Sequence, residues 1–225
     1  MKRPRSPEEI ERIKGRIIDA ALAIIVEEGF PCLTIRRLAS RLHMSAPNLY
    51  NFFKSKDEIY ITIVIRGFQM LHDELVRASE TGPGPAERAR AMLEAYIAFG
   101  TSNQAYYDIM FTLPTPKYRD YVGTPYERLS EAEYRISMEI AALATQALRD
   151  IKGGEGLSEE ELAYDIVRIW CMVHGMVSLA NSRIIGYVAP DIEESHARII
   201  DDLINHYAAS RDAGEESRLN SPQDE

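Results

Sequence analysis

The sequence predicts an all-α protein of about nine helices, a three-helix head followed by a helical-bundle body, and three observations predict it. Apolar residues recur at three- and four-residue spacing through almost the whole chain, with no alternating strand pattern. Ser and Thr stand ahead of several of these runs, and Gly and Pro clusters separate them. Charge is unevenly divided: the chain carries −9 overall, yet residues 1–56 hold +5 and the remainder −14. One end alone can approach a polyanion, and the rest is repelled by it.

The head builds in order. Lys2, Arg3 and Arg5 form a basic arm, which either touches a DNA backbone or minor groove or stays a solvated end. Ser6, Pro7 and Glu9 start the first helix, with Ile10, Ile13, Ile17, Ala21 and Ile24 inward, and Gly29 stops it. Thr34 caps a second helix that buries Ile35, Leu38, Ala39 and Leu42 and leaves Arg36, Arg37 and Arg41 in water. His43 falls at a sharp turn where a left-handed backbone is expected, and Met44 tucks inward. Ser45 caps a third helix with Pro47 in its first turn and Leu49 and Phe53 inward, so Ala46, Asn48, Tyr50 and Asn51 face out. Such a face suits a major groove, because Asn pairs with an adenine edge and a small apolar group senses a thymine methyl. Ser55 and Glu58 make a capping box for the next helix, and Lys54 and Lys56 beside it suit a phosphate.

The run from Thr34 to Ile59, with Gly29 and Phe30 ahead of it, resembles the DNA-binding head of TetR-type (tetracycline-repressor-like) bacterial regulators over roughly residues 10–60. Three positions depart from the usual pattern: His43 replaces a turn Gly, Pro47 a small flexible residue, and Asn51-Phe52 a His or Tyr pair. The resemblance implies that Thr34, Arg36, Arg37, Ser45, Ala46, Pro47, Asn48, Tyr50, Asn51, Lys54 and Lys56 contact double-stranded operator DNA.

The body follows as residues 55–210. A helix from Ser55 to about Ala78 ends at a Gly/Pro cluster, residues 81–85, and others are expected from about Ala86 to Thr101 and from Gln104 to Phe111. Pro114, Pro116, Gly123 and Pro125 enforce an irregular segment before a helix from about Tyr126 to Ile151. Seven of the 12 tyrosines lie in this middle third, where Tyr96, Tyr107, Met110 and Phe111 either pack as core or line a pocket for an apolar or aromatic ligand. Glycines 153, 154 and 156 form a loop, and Ser158 with Glu161 opens an apolar helix expected to reach Gly186, with Leu162, Ile166, Ile169, Trp170, Val173, Val177, Ala180 and Ile184 inward. Trp170, His174 and Gly175 resemble a tryptophan-x-x-x-histidine-glycine (WHG) signature of one group of TetR-type C-terminal domains. Trp170 and His174 either touch a ligand or are satisfied inside the fold. Pro190 and Asp191 start the last helix, and residues 211–225 read as a disordered tail.

No catalytic residues, cofactor or metal site are expected. There is no H-E-x-x-H, phosphate-cradling G-x-x-x-x-G-K or G-x-S-x-G, the histidines are scattered, and Cys32 and Cys171 form no ligand spacing. Free thiols fit a reducing cytoplasm, and the apolar run 169–185 is interrupted by His174, Ser178, Asn181 and Arg183, which argues against a membrane span. The expectation is a homodimer paired through the last two long helices, a ligand-responsive repressor released from a near-palindromic operator by a small-molecule effector. The alternative is a constitutive architectural DNA-binding protein with no effector.

Overall fold

The computed structural model describes residues 5–154, 157–188 and 191–219, and among these it contains ten α-helices and no strand. They are α1 (Pro7–Glu28), α2 (Ile35–Arg41), α3 (Ala46–Leu49), α4 (Lys56–Ser79), α5 (Pro85–Ser102), α6 (Gln104–Tyr107), α7 (Tyr118–Tyr121), α8 (Glu127–Ile151), α9 (Glu159–Asn181) and α10 (Ile192–Leu219). Two compact units divide the chain: residues 1–70 with 103–137, and residues 71–102 with 138–225. The boundary at 54/55 expected from the motifs is therefore not where compactness changes. The helix that starts there, α4, runs on without a break, and residues 103–137 cluster with the head.

Within the first unit α1 packs on α2 and on the α6 segment. Its buried Ile17, Ala21, Ile24 and Ile25, with Leu38 and Leu49 from α2 and α3, are 0% exposed and form the head's core. Tyr60 of α4 is equally buried and donates to the Pro116 carbonyl at 2.6 Å, while Tyr121 donates to Asp57 Oδ1 at 3.2 Å. The start of α4 is thus tied to the segment around α7. After α6 the chain makes a five-residue π turn, Asp108–Thr112, which the sequence reading had continued as ordinary helix. This turn fits against α4 at Gly67, where a Cβ would lie 2.5 Å from Met110 Sδ. The short helix α7, inside the proline-rich segment, was also not expected.

In the second unit α5 packs on α9 and α10. Trp170 Nε1 donates to the Tyr96 hydroxyl at 3.0 Å, Asn181 Nδ2 donates to the Gly100 carbonyl at 3.1 Å, and Arg90 pairs with Asp201. Between α8 and α9 the buried Asp165 accepts from Lys152 at 2.9 Å and from the Tyr207 hydroxyl at 3.3 Å. These partners hold its carboxyl below the ordinary range although burial alone would raise it.

Several expectations are corrected here. α9 stops at Asn181, short of Gly186, because Arg183 takes a left-handed backbone at φ 58° and a 3-10 turn follows at Ile185–Tyr187. Trp170 and Ile184, expected inward, are 46% and 53% exposed. α10 turns Ile200, Leu203, Ile204 and Tyr207 inward and leaves Glu193, Glu194 and Asp202 exposed, so the broadly apolar surface belongs to α9. Residues 211–219, expected to lack order, continue α10 to Leu219, as an extension of a helix already nucleated over its packed turns. Lys2, Arg3, Gly156, Pro190 and residues 220–225 lie outside the described residues.

Candidate nucleic-acid interface

Local chemistry sets the geometry of the head. Ser6 Oγ accepts from the Glu9 N–H at 3.2 Å, Thr34 Oγ1 from the Arg37 N–H at 3.1 Å, and Ser45 Oγ from the Asn48 N–H at 3.4 Å, so each helix starts at the predicted cap. His43 adopts φ 53°, the left-handed turn expected of it, and its N–H reaches the Ser40 carbonyl at 3.1 Å. Met44 is half-buried with its N–H on the Ala39 carbonyl, which sets the step from α2 to α3. At α4, Ser55 Oγ accepts from the Glu58 N–H at 3.0 Å. Glu58's carboxylate, however, takes the N–H of Lys54, one residue before the cap, so the reciprocal half of the expected box is displaced.

The reading face is open. Ser45, Pro47, Tyr50 and Asn51 are exposed, Tyr50 by 53%, and Ala46 and Asn48 are half-buried around a fully buried Leu49. A shallow open groove along α2 brings Thr34, Arg36 and Arg37 together with Cys32, Ser40, Arg41 and Glu28. The α3 residues lie outside it.

Not all of the positive charge is loose. Arg37 and Arg41 are exposed, as expected, but Arg37 pairs with Glu28 and Arg41 makes two bonds to Glu27 at 2.9 and 3.1 Å. Those bonds hold the Glu27 carboxyl below its ordinary value and raise Arg41. The signal was present in the sequence as Glu27-Glu28 at the end of the first helix. Seeing that they meet α2 requires the angle between helices. Arg36 and Lys54 are exposed, and the Lys56 ammonium lies 4.6 Å from the Phe30 ring centroid. Arg5 reaches the reading face as well, with its guanidinium 5.2 Å from the Phe52 ring centroid.

The six candidate ligand contacts fall into two groups, one in each unit. Tyr107 and Met110, 1% and 4% exposed, pack with the half-buried Phe111, whose ring stands edge-on to Phe68 at 5.7 Å. In the second unit Tyr96 bonds to Trp170, and Trp170 lies 6.1 Å from the His174 ring. His174 is half-buried, and burial lowers its pKa, which favours the neutral imidazole. Among the described residues no group of three or more His, Cys, Asp or Glu is placed to hold a metal ion.

A capped helix-turn-helix with an open third helix is the arrangement of a DNA-binding head. Comparison with known proteins agrees. Residues 17–63 match the family described as bacterial regulatory proteins, tetR family, and residues 89–203 match the tetracyclin repressor-like C-terminal domain. The chain belongs to the TetR family of bacterial DNA-binding transcriptional regulators. Trp170, His174 and Gly175 lie inside the second matched segment. The HTH-type transcriptional activator FasR of Mycolicibacterium smegmatis is 29% identical over 112 residues, 50% of this chain and 48% of that protein. The chain thus spans about half the length of that relative. The uncharacterized HTH-type transcriptional regulator Rv0681 of Mycobacterium tuberculosis is 24% identical over 186 residues, 79% of this chain and 77% of that one. In fold, a tetR-family regulatory protein from Rhodococcus RHA1 superposes with a TM-score of 0.66 at 16% identity, covering 85% of this chain and 95% of the other.

Proposed function

We propose that a homodimer of this chain places its two heads on successive turns of a near-palindromic operator, represses the adjacent promoter, and is released by a small apolar or aromatic effector. The single observation that carries the reading is the open face Ser45–Asn51, with Thr34, Arg36 and Lys54 exposed around it for phosphates. Asn48, Tyr50 and Asn51 are its base-reading candidates, with Ala46 and Pro47 for apolar contact; Arg37 and Lys56 are further phosphate candidates.

The dimer surface follows from α9. Tyr164, Val167, Trp170, Met172 and Leu179 project outward, each at least 42% exposed, and an apolar surface of that length fits a second copy of the same helix pair. α9 is also, among the described residues, the one helix long and apolar enough by length and composition to cross a membrane. We read its outward side as subunit contact because the same helix carries the Asp165 ion pairs, Arg168 and His174. That reading places the protein in the cytoplasm.

Tyr96, Trp170 and His174 are the candidate effector contacts in the second unit, and Tyr107, Met110 and Phe111 those in the first. Release works as a population shift: an effector that prefers a conformation with misplaced heads lowers DNA affinity about 100-fold with roughly 2.7 kcal/mol of coupling. α4, a single helix from Lys56 to Ser79, is the proposed carrier of that motion.

The test is selection of duplexes from a random library by the purified protein, then anisotropy titrations of the selected site. Asn48→Ala is expected to lose about 1–3 kcal/mol of preference for that site over random DNA, whereas Lys56→Ala weakens all duplexes alike and flattens the salt slope by about one unit. If Asn48→Ala keeps the full preference, the reading face is misassigned. A lipophilic compound that raises the melting temperature is expected to weaken operator binding. Binders that leave operator affinity unchanged favour the constitutive architectural alternative, and increased transcription from a bound promoter identifies an activator, the role in FasR's name.

A further inference from the structure

Two contacts hold Arg5 on the reading head. The residue precedes Ser6, whose extended backbone (φ −71°, ψ 159°) and bond to the Glu9 N–H fix the point where α1 begins. From there the guanidinium lies over the ring of Phe52, a side chain only 9% exposed and hence a rigid platform. Its Nη2 donates to Asn48 Oδ1 at 3.4 Å. An arm that the sequence left open between a DNA contact and a solvated end is, at this residue, folded onto the helix that meets the bases.

The bond changes what Asn48 offers. An asparagine that reads adenine accepts from the N6 amino group with its carbonyl oxygen and donates to N7 with its amide. Here one of the carbonyl oxygen's two lone pairs already accepts from a cation. Arg5 keeps further N–H groups beyond the one directed at Asn48, and guanidinium has no acceptor. Together the two side chains offer more donors than acceptors, with a positive charge where adenine would bring its own amino donor. The purine edge that matches is guanine, with acceptors at both N7 and O6.

We propose that Arg5 is a specificity-determining residue that, acting with Asn48, makes this head select guanine over adenine at the base pair Asn48 faces. The inference rests on the assignment of Asn48 to the reading face.

The experiment repeats the duplex selection with the full-length wild type, Arg5→Ala, Arg5→Lys and Asn48→Ala, each first checked for an unchanged helical circular-dichroism signal and melting transition. The wild type is expected to enrich guanine at one position of each half-site. Arg5→Ala lowers the guanine-to-adenine ratio there about 10-fold and leaves the other positions alone. Arg5→Lys does the same, since an ammonium keeps the charge but lacks the planar fork. If Arg5→Ala weakens every sequence equally and leaves that ratio unchanged while Asn48→Ala alters it, Arg5 is a phosphate contact and the proposal is overturned. If Asn48→Ala leaves the whole base profile unchanged, the reading-face assignment fails instead.

Discussion

Glu133 stands 7% exposed on α8, with Oε2 bonded to nothing among the described residues, and Ser130 Oγ one turn earlier is in the same position. Three titratable groups interact with the carboxyl: Lys117 from the segment leading into α7, Tyr121 in α7, and Tyr60 in α4. Burial dominates and pushes Glu133 up to about 7, with the Lys117 ammonium opposing it; Lys117 itself donates to the Met110 carbonyl at 3.1 Å and to Thr115 at 3.2 Å. The folded state therefore holds this proton more tightly than the unfolded chain does. Stability from this group is full below pH 4.5, the ordinary value, and is lost as pH rises through about 7. Glu133→Gln should remove that slope, so urea denaturation across this window should show the wild type losing about 3 kcal/mol relative to the variant. Parallel curves for the two proteins would mean that the carboxyl titrates as if in water.

Between elements, Gly67 of α4 packs closely against the π turn. An added Cβ meets Met110 Sδ at 2.5 Å and Tyr106 Cδ1 at 3.2 Å, so Gly67→Ala forces the methionine aside. We expect a loss of about 1–3 kcal/mol, recovered in part when Met110→Ala is added, because overpacking at one site is relieved by a cavity at the other. A double-mutant cycle by chemical denaturation measures the coupling, and strictly additive losses would deny the contact. This contact also marks the limit of what the chain discloses to a reader. Ser6, Thr34, Ser45 and Ser158 announce their helices because a cap bonds its own third residue, a local event. His43 was legible as a left-handed turn for the same reason. The π turn, the outward Trp170 and the Arg37–Glu28 pair were not, since each depends on which helix arrives from far along the sequence. The open side of Ser45–Asn51 could be anticipated from its spacing, while Arg5's bond to Asn48 needed coordinates.

For the whole molecule, the proposed dimer makes the sharpest claim. Leu179, 46% exposed on α9, can be replaced by Asp without opening the core. Leu179→Asp should remain helical, sediment as a monomer and bind a palindromic duplex far more weakly, because two linked heads gain from effective concentration and one does not. A dimer that persists in this variant would move the subunit contact to another surface. Charge works at this scale too. Residues 1–56 carry +5 against −14 elsewhere, yet two of the head's arginines already lean on glutamates of its own first helix. A phosphate that reaches Arg37 or Arg41 competes with Glu28 or Glu27, so part of the attraction is exchange rather than addition. Such a head keeps some of its cationic strength in reserve. On the reading face proposed above, it would dwell briefly on arbitrary duplex and close its grip only where the bases under Asn48 and Tyr50 hold it long enough for the glutamates to let go.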